Sequence, residues 1–337
     1  MKTYQRFFEL PSYSGKPSWP WTEARTPLLK YLPNGFVWPK ISIITPSYNQ
    51  AQYLEEAIRS VLLQCYPNLE YIIMDGGSTD GSVEIIKKYD TWLTYWVSEK
   101  DNGQSSAINQ GLRMATGELA GWLNSDDIFY PGAFESVANW WVENGKPDDL
   151  ITGTKLKGNA TLDELSKLEQ TPFTVKHLME RCIIEQPSTF FPLDAFRAVG
   201  GLDERYHNSL DYDLWLRMTR QGAKIQFIDT DLAITRVHSL TKTSKFQRRS
   251  CRESLLSVWR NYKVIPDSWV KKWATAIVNP AKAEDGFYKH FLVLMRNILY
   301  HTTRVILKIY VGLYGIGVNI HNLFRKQRDE KSDHAPL

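Results

Sequence analysis

Four short apolar runs alternating with helical patterns over residues 41–123 constrain this chain more than any other feature, because strand–helix–strand order of this kind predicts a parallel sheet. Ile41-Ser42-Ile43-Ile44-Thr45 is a β-branched run stopped by Pro46, and Leu54, Ile58, Val61 and Leu62 then recur at the spacing of one buried helix face. Tyr71-Ile72-Ile73-Met74 runs into Asp75 and the turn Gly76–Gly81, ahead of a helix through Val83, Ile86 and Lys87. Tyr95-Trp96-Val97 leads to Asp101. A helix carrying Ala107, Ile108, Leu112 and Ala115 then precedes the run Leu119–Leu123, which closes on Asp126 and Asp127. Parallel strands present their carboxyl ends at one edge, so Asp75, Asp101 and the Asp126–Asp127 pair are expected to share a crevice. Gathered carboxylates repel one another, and a divalent cation with a bound diphosphate offsets that repulsion.

Several function classes are set aside by what the sequence lacks. The turn Gly76–Gly81 does not follow G-x-G-x-x-G order, and no G-x-x-x-x-G-K-[ST] occurs, which disfavours hydride transfer and P-loop chemistry. A net charge of +4, with acids and bases interspersed, argues against nucleic acid as a partner. Cys65, Cys182 and Cys251 form no C-x-x-C pair and fit reduced thiols. The first residues lack the apolar core of a signal peptide, so a cytoplasmic location is expected.

Residues 1–39 carry prolines at 11, 17, 20, 27, 33 and 39 with Trp19, Trp21 and Trp38, the composition of an extended arm pinned by aromatic anchors. Beyond Leu150–Gly153, read as a short strand, Leu162, Leu165 and Leu168 suggest a surface helix, and Ile183–Phe191 reads as a strand interrupted by Pro187. Asp211 and Asp213 precede an apolar helix, where either acid is a natural N-terminal cap. Leu232–His238 reads as a closing strand. From Phe287 to Ile320 apolar residues dominate, while Asn297, His301, Arg304 and Lys308 form a polar stripe. With the basic run Arg325-Lys326-Gln327-Arg328, this fits peripheral membrane contact through residues 287–328, and it fits equally a helical pair packed on the protein or on a dimer partner. The charge-free run Ile309–Phe324 is too short to span a bilayer. The expected organisation is an arm (1–39), an α/β domain (40–245, its halves meeting at 130/131), a helical region (246–325) and a polar tail (326–337).

The motifs Pro46-Ser47-Tyr48-Asn49, Asp75–Gly81, Asp101-Asn102-Gly103-Gln104 with Ala107 and Asn109, and Trp122-Leu123-Asn124-Ser125-Asp126-Asp127 together resemble the family 2 glycosyltransferases in order and spacing, over roughly residues 40 to 240. The resemblance implies a GT-A fold, with a mixed, mainly parallel sheet flanked by helices, and a nucleotide-sugar donor. It also implies Mg²⁺ or Mn²⁺ and inversion at the anomeric carbon. Carried over, it makes Tyr48 the aromatic beside the base, Asp75 the base-recognising carboxylate and Asp101 the acid nearer the ribose. Pro46, Asn49 and Gln104 lie in the same nucleotide-sugar motifs. The D-x-D signature falls on Asn124-Ser125-Asp126, departing at its first position. The resemblance then makes Asp127 the direct metal ligand, Asp126 the acid facing ribose or sugar, and His238 a late ligand near metal and diphosphate, with Lys242 meeting phosphate. The Glu-Asp pair falls on Leu210-Asp211, making Asp211 the general base. The function implied is transfer of a sugar, from a donor expected to be UDP-linked, to a hydroxyl of a glycan or lipid-linked acceptor in surface polysaccharide synthesis. Two alternatives share these residues: a sugar nucleotidyltransferase, whose Gly-rich basic phosphate loop is missing, and a non-catalytic nucleotide-sugar- or glycan-binding subunit, prompted by Asn124 and Leu210.

Overall fold

The β-branched run at residue 41 becomes the strand on which the sheet is built. A computed structural model of the chain describes residues 10–11, 18–21, 28–29, 31–32, 35–154, 156–167, 174–238, 246–278, 293–306 and 309. It divides into two compact units, residues 1–246 and 247–337. In the first, β1 (Ile41–Ser47) is buried at every residue. It pairs in parallel with β2 (Leu69–Asp75) on one side and β4 (Leu119–Trp122) on the other, and β3 (Tyr95–Ser98) adds in parallel outside β2. The crossovers are α1 (Ala51–Leu62), α2 (Ser82–Lys88) and α3 (Gln104–Met114). Leu54, Ile58, Val61 and Leu62 of α1 are at most 1% exposed, so the spacing read from the sequence is the core-facing stripe.

After β4 come a short β5 (Ile128–Phe129), α4 (Ala133–Glu143), β6 (Leu150–Thr152), β7 (Leu156–Gly158), β8 (Leu165–Lys167) and α5 (Val175–Glu180). They are followed by β9 (Thr189–Pro192), α6 (Leu193–Ala198), α7 (Leu210–Arg220), β10 (Ile225–Phe227) and β11 (Ala233–Arg236). The main sheet has seven strands in the order β10-β6-β9-β4-β1-β2-β3, with β9 antiparallel to both neighbours and every other pair parallel. A second sheet, β5-β11-β7-β8, brings the late strand β11 antiparallel against β5, directly after Asp126 and Asp127. Strand order reverses between β1 and β4. The segments leaving those two strands therefore part and open a crevice at their carboxyl ends.

Two expectations are corrected. The leucines at 162 and 165 do not lie on a surface helix: β7 and β8 form an antiparallel hairpin, and Leu168 lies outside the described residues. In its turn Leu162 takes φ 61°, and Asp163 accepts from Thr161 at 2.8 Å, side-chain bonding that competes with a helix. Ile183–Ile184 is not strand either. Gln186–Ser188 forms a 3₁₀ turn around Pro187, and the strand begins at Thr189. Among the described residues before β1, Trp19 Nε1 donates to the Phe129 carbonyl (2.8 Å), and Arg59 donates to the carbonyls of Pro20 (3.0 Å) and Pro11 (2.9 Å).

The second unit contains α8 (Gln247–Tyr262), α9 (Asp267–Ile277) and a helix over residues 293–306. Val258, Val270 and Ala274 are fully buried in it, and Arg304 pairs with Asp267 at 2.7 Å. Leu294, Met295, Ile298, Val305 and Ile306 are each at least 40% exposed. Lys308 and the basic run at 325–328 lie outside the described residues. No helix among the described residues is long and apolar enough to cross a membrane.

Candidate active site

The crevice at the β1–β4 reversal is a cavity of about 720 Å³, lined by the segments that follow β1, β2, β3 and β4, by the 3₁₀ turn before β9, by the start of α7 and by β11. Pro46, Ser47, Tyr48 and Gln50 form its β1 side, with the Tyr48 ring 63% exposed at the wall. Asn49 does not line it. Its amide donates to Ser78 Oγ (2.8 Å) and its Oδ1 accepts from the Thr79 amide (2.8 Å), so it ties the loop after β1 to the loop after β2. Asp80 acts in the same way, accepting from the Ala51 amide (2.9 Å) at the start of α1 and from the Ser82 amide (3.1 Å) at the start of α2. Against the effect of burial, hydrogen bonds from Ser82 and from the Ala51 amide hold its carboxyl below the usual carboxylate range.

Asp75 is 2% exposed and turned away from the large cavity. Its Oδ2 accepts from the Gly77 amide (3.2 Å), the Ser78 amide (2.8 Å) and Ser98 Oγ (2.7 Å), and its Oδ1 from Ser78 Oγ (2.6 Å). Those donors fill a carboxylate's acceptor capacity, so Asp75 fixes the turn and leaves Gly76 and Gly77 on the cavity wall. A Cβ on Gly76 would sit 3.0 Å from Asp101 Oδ2, and glycine there keeps room for that carboxylate. Asp75 and Asp101 both line a smaller adjoining pocket of about 140 Å³.

The loop after β4 gives its two acids different surroundings. Asn124 sits at the centre of an amide chain: its Oδ1 accepts from Gln104 Nε2 (2.7 Å), and its Nδ2 donates to Gln186 Oε1 (3.1 Å) and, more weakly, to Asp127 Oδ2 (3.3 Å). Asp127 is 3% exposed, and its Oδ1 accepts from the Arg236 amide (2.8 Å). Burial, and then the neighbouring Asp126 charge, push its carboxyl well above the usual carboxylate range, against the pull of Arg236 and Asn124. Asp126 is more open and lies 3.0 Å from His238 Nε2. Arg236 is 2% exposed and reaches Glu56 on α1 and the carbonyls of Asp126 (2.7 Å) and Ala160, with its guanidinium 4.6 Å from the Tyr53 ring centroid.

Among the described residues, no group of three or more His, Cys, Asp and Glu side chains is arranged as a preformed metal cage. A hard cation that keeps its waters and takes ligands from a bound diphosphate needs only one or two protein donors, and the Asp126–His238 pair, with Asp127 behind it, fits such an ion. Asp211, in the first turn of α7, lines the same cavity and accepts from the Tyr212 amide (2.8 Å). Burial, reinforced by the charge of Glu185, pushes its carboxyl up to about 6. Its helix is tied to the acid-bearing strand by stacking of Trp215 on Trp122, with centroids 5.7 Å apart and planes at 17°. Asp213 faces inward and pairs with Arg217 at 2.7 Å, a structural task.

Residues 42–191 match the model of glycosyl transferase family 2. The chain belongs to this family. An uncharacterized glycosyltransferase of Rickettsia conorii is 32% identical over 232 residues, which cover 66% of this chain and 38% of that relative. The match thus spans well under half of the relative's length. S. aureus TarS 1–349 in complex with UDP-GlcNAc superposes with a TM-score of 0.55 at 15% identity, covering 71% of this chain and 72% of that one. The mannosyltransferase PcManGT from Pyrobaculum calidifontis, in complex with GDP-Man and Mn²⁺, gives a TM-score of 0.53 at 18% identity, covering 96% and 94%. At those identities the likeness establishes the fold, which is GT-A.

Of the residues singled out from the sequence of this family member, Pro46, Tyr48, Asp101, Gln104, Asn124, Asp126, Asp127 and Asp211 share the one cavity, while Asn49, Asp75 and His238 stand behind its wall. Lys242 lies outside the described residues. Glu185, Gln186 and Arg236 went unremarked. The Pro187 that breaks the apolar run, and the arginine two residues before His238, were the available signals. Glu56 and Arg236 form a buried pair, and removing one partner strands the other charge. Arg236→Met is expected to lower stability by about 3 kcal/mol in urea unfolding, with part of the loss recovered in the Glu56→Leu/Arg236→Met double variant.

Proposed function

We propose that this family 2 member is an inverting, divalent-cation-dependent glycosyltransferase. It moves a sugar from a UDP-linked donor to a hydroxyl of a glycan or lipid-linked acceptor in surface polysaccharide synthesis. The observation that carries the reading is that one cavity joins Asp126, backed by His238 at 3.0 Å, to Asp211, a carboxyl raised to about 6 on a separate helix. The nucleotide sugars held by the two similar structures support the donor class.

In this mechanism Tyr48 offers its exposed ring to the base, Asp101 accepts hydrogen bonds from the ribose, and Gln104 and Asn124 orient the donor sugar. Asp211 takes the proton of the acceptor hydroxyl as the new bond forms, and a single displacement inverts the anomeric carbon. A carboxyl titrating near 6 is mostly ionised at pH 7 yet more basic than an ordinary aspartate, which suits it to that task. Asp126 and His238, with Asp127, would hold Mg²⁺ or Mn²⁺, which supplies positive charge to the departing diphosphate. The exposed apolar side chains of the 293–306 helix, with the basic run at 325–328, support peripheral contact with an anionic membrane.

Asp211→Asn is expected to abolish sugar transfer while leaving nucleoside diphosphate binding intact, and undiminished turnover would remove it as the base. Because the base acts ionised, wild-type kcat/KM should rise with pH through about 6 and level off above. Asp126→Asn and His238→Ala should each raise the Mn²⁺ concentration for half-maximal turnover by about 10- to 100-fold, and a chelator should stop turnover until Mn²⁺ is restored. In sedimentation with phosphatidylglycerol vesicles the full chain should pellet, and Leu294→Ser/Ile298→Ser should pellet less; equal recovery of both variants rejects the membrane contact.

A further inference from the structure

Among the acids lining the cavity, Glu185 is set apart by its partners. Asp101 accepts from the Gly103 amide (2.8 Å), Asp126 meets His238 (3.0 Å), Asp127 accepts from the Arg236 amide (2.8 Å) and Asp211 from the Tyr212 amide (2.8 Å). The Glu185 carboxylate has no hydrogen-bond partner among the described residues. It forms a long ion pair with Lys157 Nζ (4.0 Å), and its side chain is only 22% exposed. The residue is held firmly. Its carbonyl accepts from the Ser188 amide (3.2 Å) and Thr189 Oγ1 (2.8 Å), while the next side chain, Gln186, donates to the Trp122 carbonyl (2.6 Å) and accepts from Asn124 (3.1 Å). One short turn therefore grips the donor-side loop through Gln186 and turns Glu185 into the cavity that Asp211 also lines.

A carboxylate partly withdrawn from water and lacking donors is costly until something supplies them. Hydroxyl groups of a sugar do so. A phosphate or carboxylate would instead meet two like charges, Glu185 and Asp211, since Lys157, which pairs with Glu185 at 4.0 Å, does not itself line the cavity. Lys100 and Arg236 also line the cavity but come from other segments, and the Arg236 guanidinium is engaged by Glu56 and two carbonyls. We propose that Glu185 is an acceptor-binding residue, and that the acceptor ring it reads is an uncharged, polyhydroxylated sugar. Glu185 accepts a hydrogen bond from a hydroxyl of the same ring whose reacting hydroxyl faces Asp211. This rests on the glycosyltransferase reading of the cavity and names the chemistry of its second substrate.

The test is saturation-transfer NMR on the full chain loaded with UDP and Mg²⁺. The probes are the methyl glycosides of glucose, galactose and mannose, set against methyl glucuronide and glucose 6-phosphate. At least one neutral glycoside should bind, and the two charged probes should bind about tenfold more weakly or not at all. Glu185→Ala should weaken the neutral glycoside about tenfold, and Glu185→Gln should narrow the gap to the glucuronide, with UDP affinity in both variants confirming an intact fold. Equal binding of charged and neutral probes, no binding by any neutral glycoside, or unchanged neutral binding in Glu185→Ala overturns the inference. Those outcomes concern Glu185 alone. The transferase reading fails separately, if wild-type protein releases no nucleoside diphosphate from any nucleotide sugar.

Discussion

A buried arginine ties together the segments that line the cleft. Arg236 lies 180 residues from its partner Glu56, yet the two meet with almost no exposure, and the Arg236 amide and guanidinium reach Asp127 and the Asp126 carbonyl in the same stroke. A guanidinium suits that position because its planar fork satisfies several acceptors at once and stays charged when buried. It places a fixed positive charge behind two adjacent carboxylates, so that the acids can sit side by side in a partly enclosed cleft. Its pull opposes, without cancelling, the burial and the Asp126 charge that raise the Asp127 carboxyl.

The rest of the cleft follows from strand order. β1 and β4 are neighbours that lead to opposite sides, and the loops leaving them cannot close over each other. Side-chain amides then fill the opening as a rigid lining, Gln104 to Asn124 to Gln186, and Trp122 stacks on Trp215 so that the helix bearing Asp211 is registered against the strand bearing the acids. Asn124 accounts for its own departure from the D-x-D pattern. An amide both donates and accepts, and here it bridges Gln104 and Gln186, which a carboxylate could not do.

Much of this was legible from residue order. Four strands, the buried stripe of α1, the gathering of acids at strand ends and the place of Asp211 and Asp213 at the start of a helix all follow from periodicity and strand direction, which are local properties. Where reading failed, a local pattern had two solutions. Leu162 and Leu165 fit a helix or a hairpin, and side-chain bonding in the turn chose the hairpin.

What the sequence by itself determined is the parallel core of β1 to β4 and the acids at its strand ends, because side-chain period and parallel crossovers leave few other arrangements, while the GT-A fold came with the family resemblance. What only the tertiary structure decided is the division of labour among those acids. Asp75 is bonded by its own turn and by Ser98, Asp127 is enclosed by Arg236, Asp126 is opened toward His238, and Glu185 faces the cleft with only a long ion pair to Lys157. That division depends on partners 23 to 112 residues away, and no local spacing encodes which of several equivalent carboxylates a distant donor will reach.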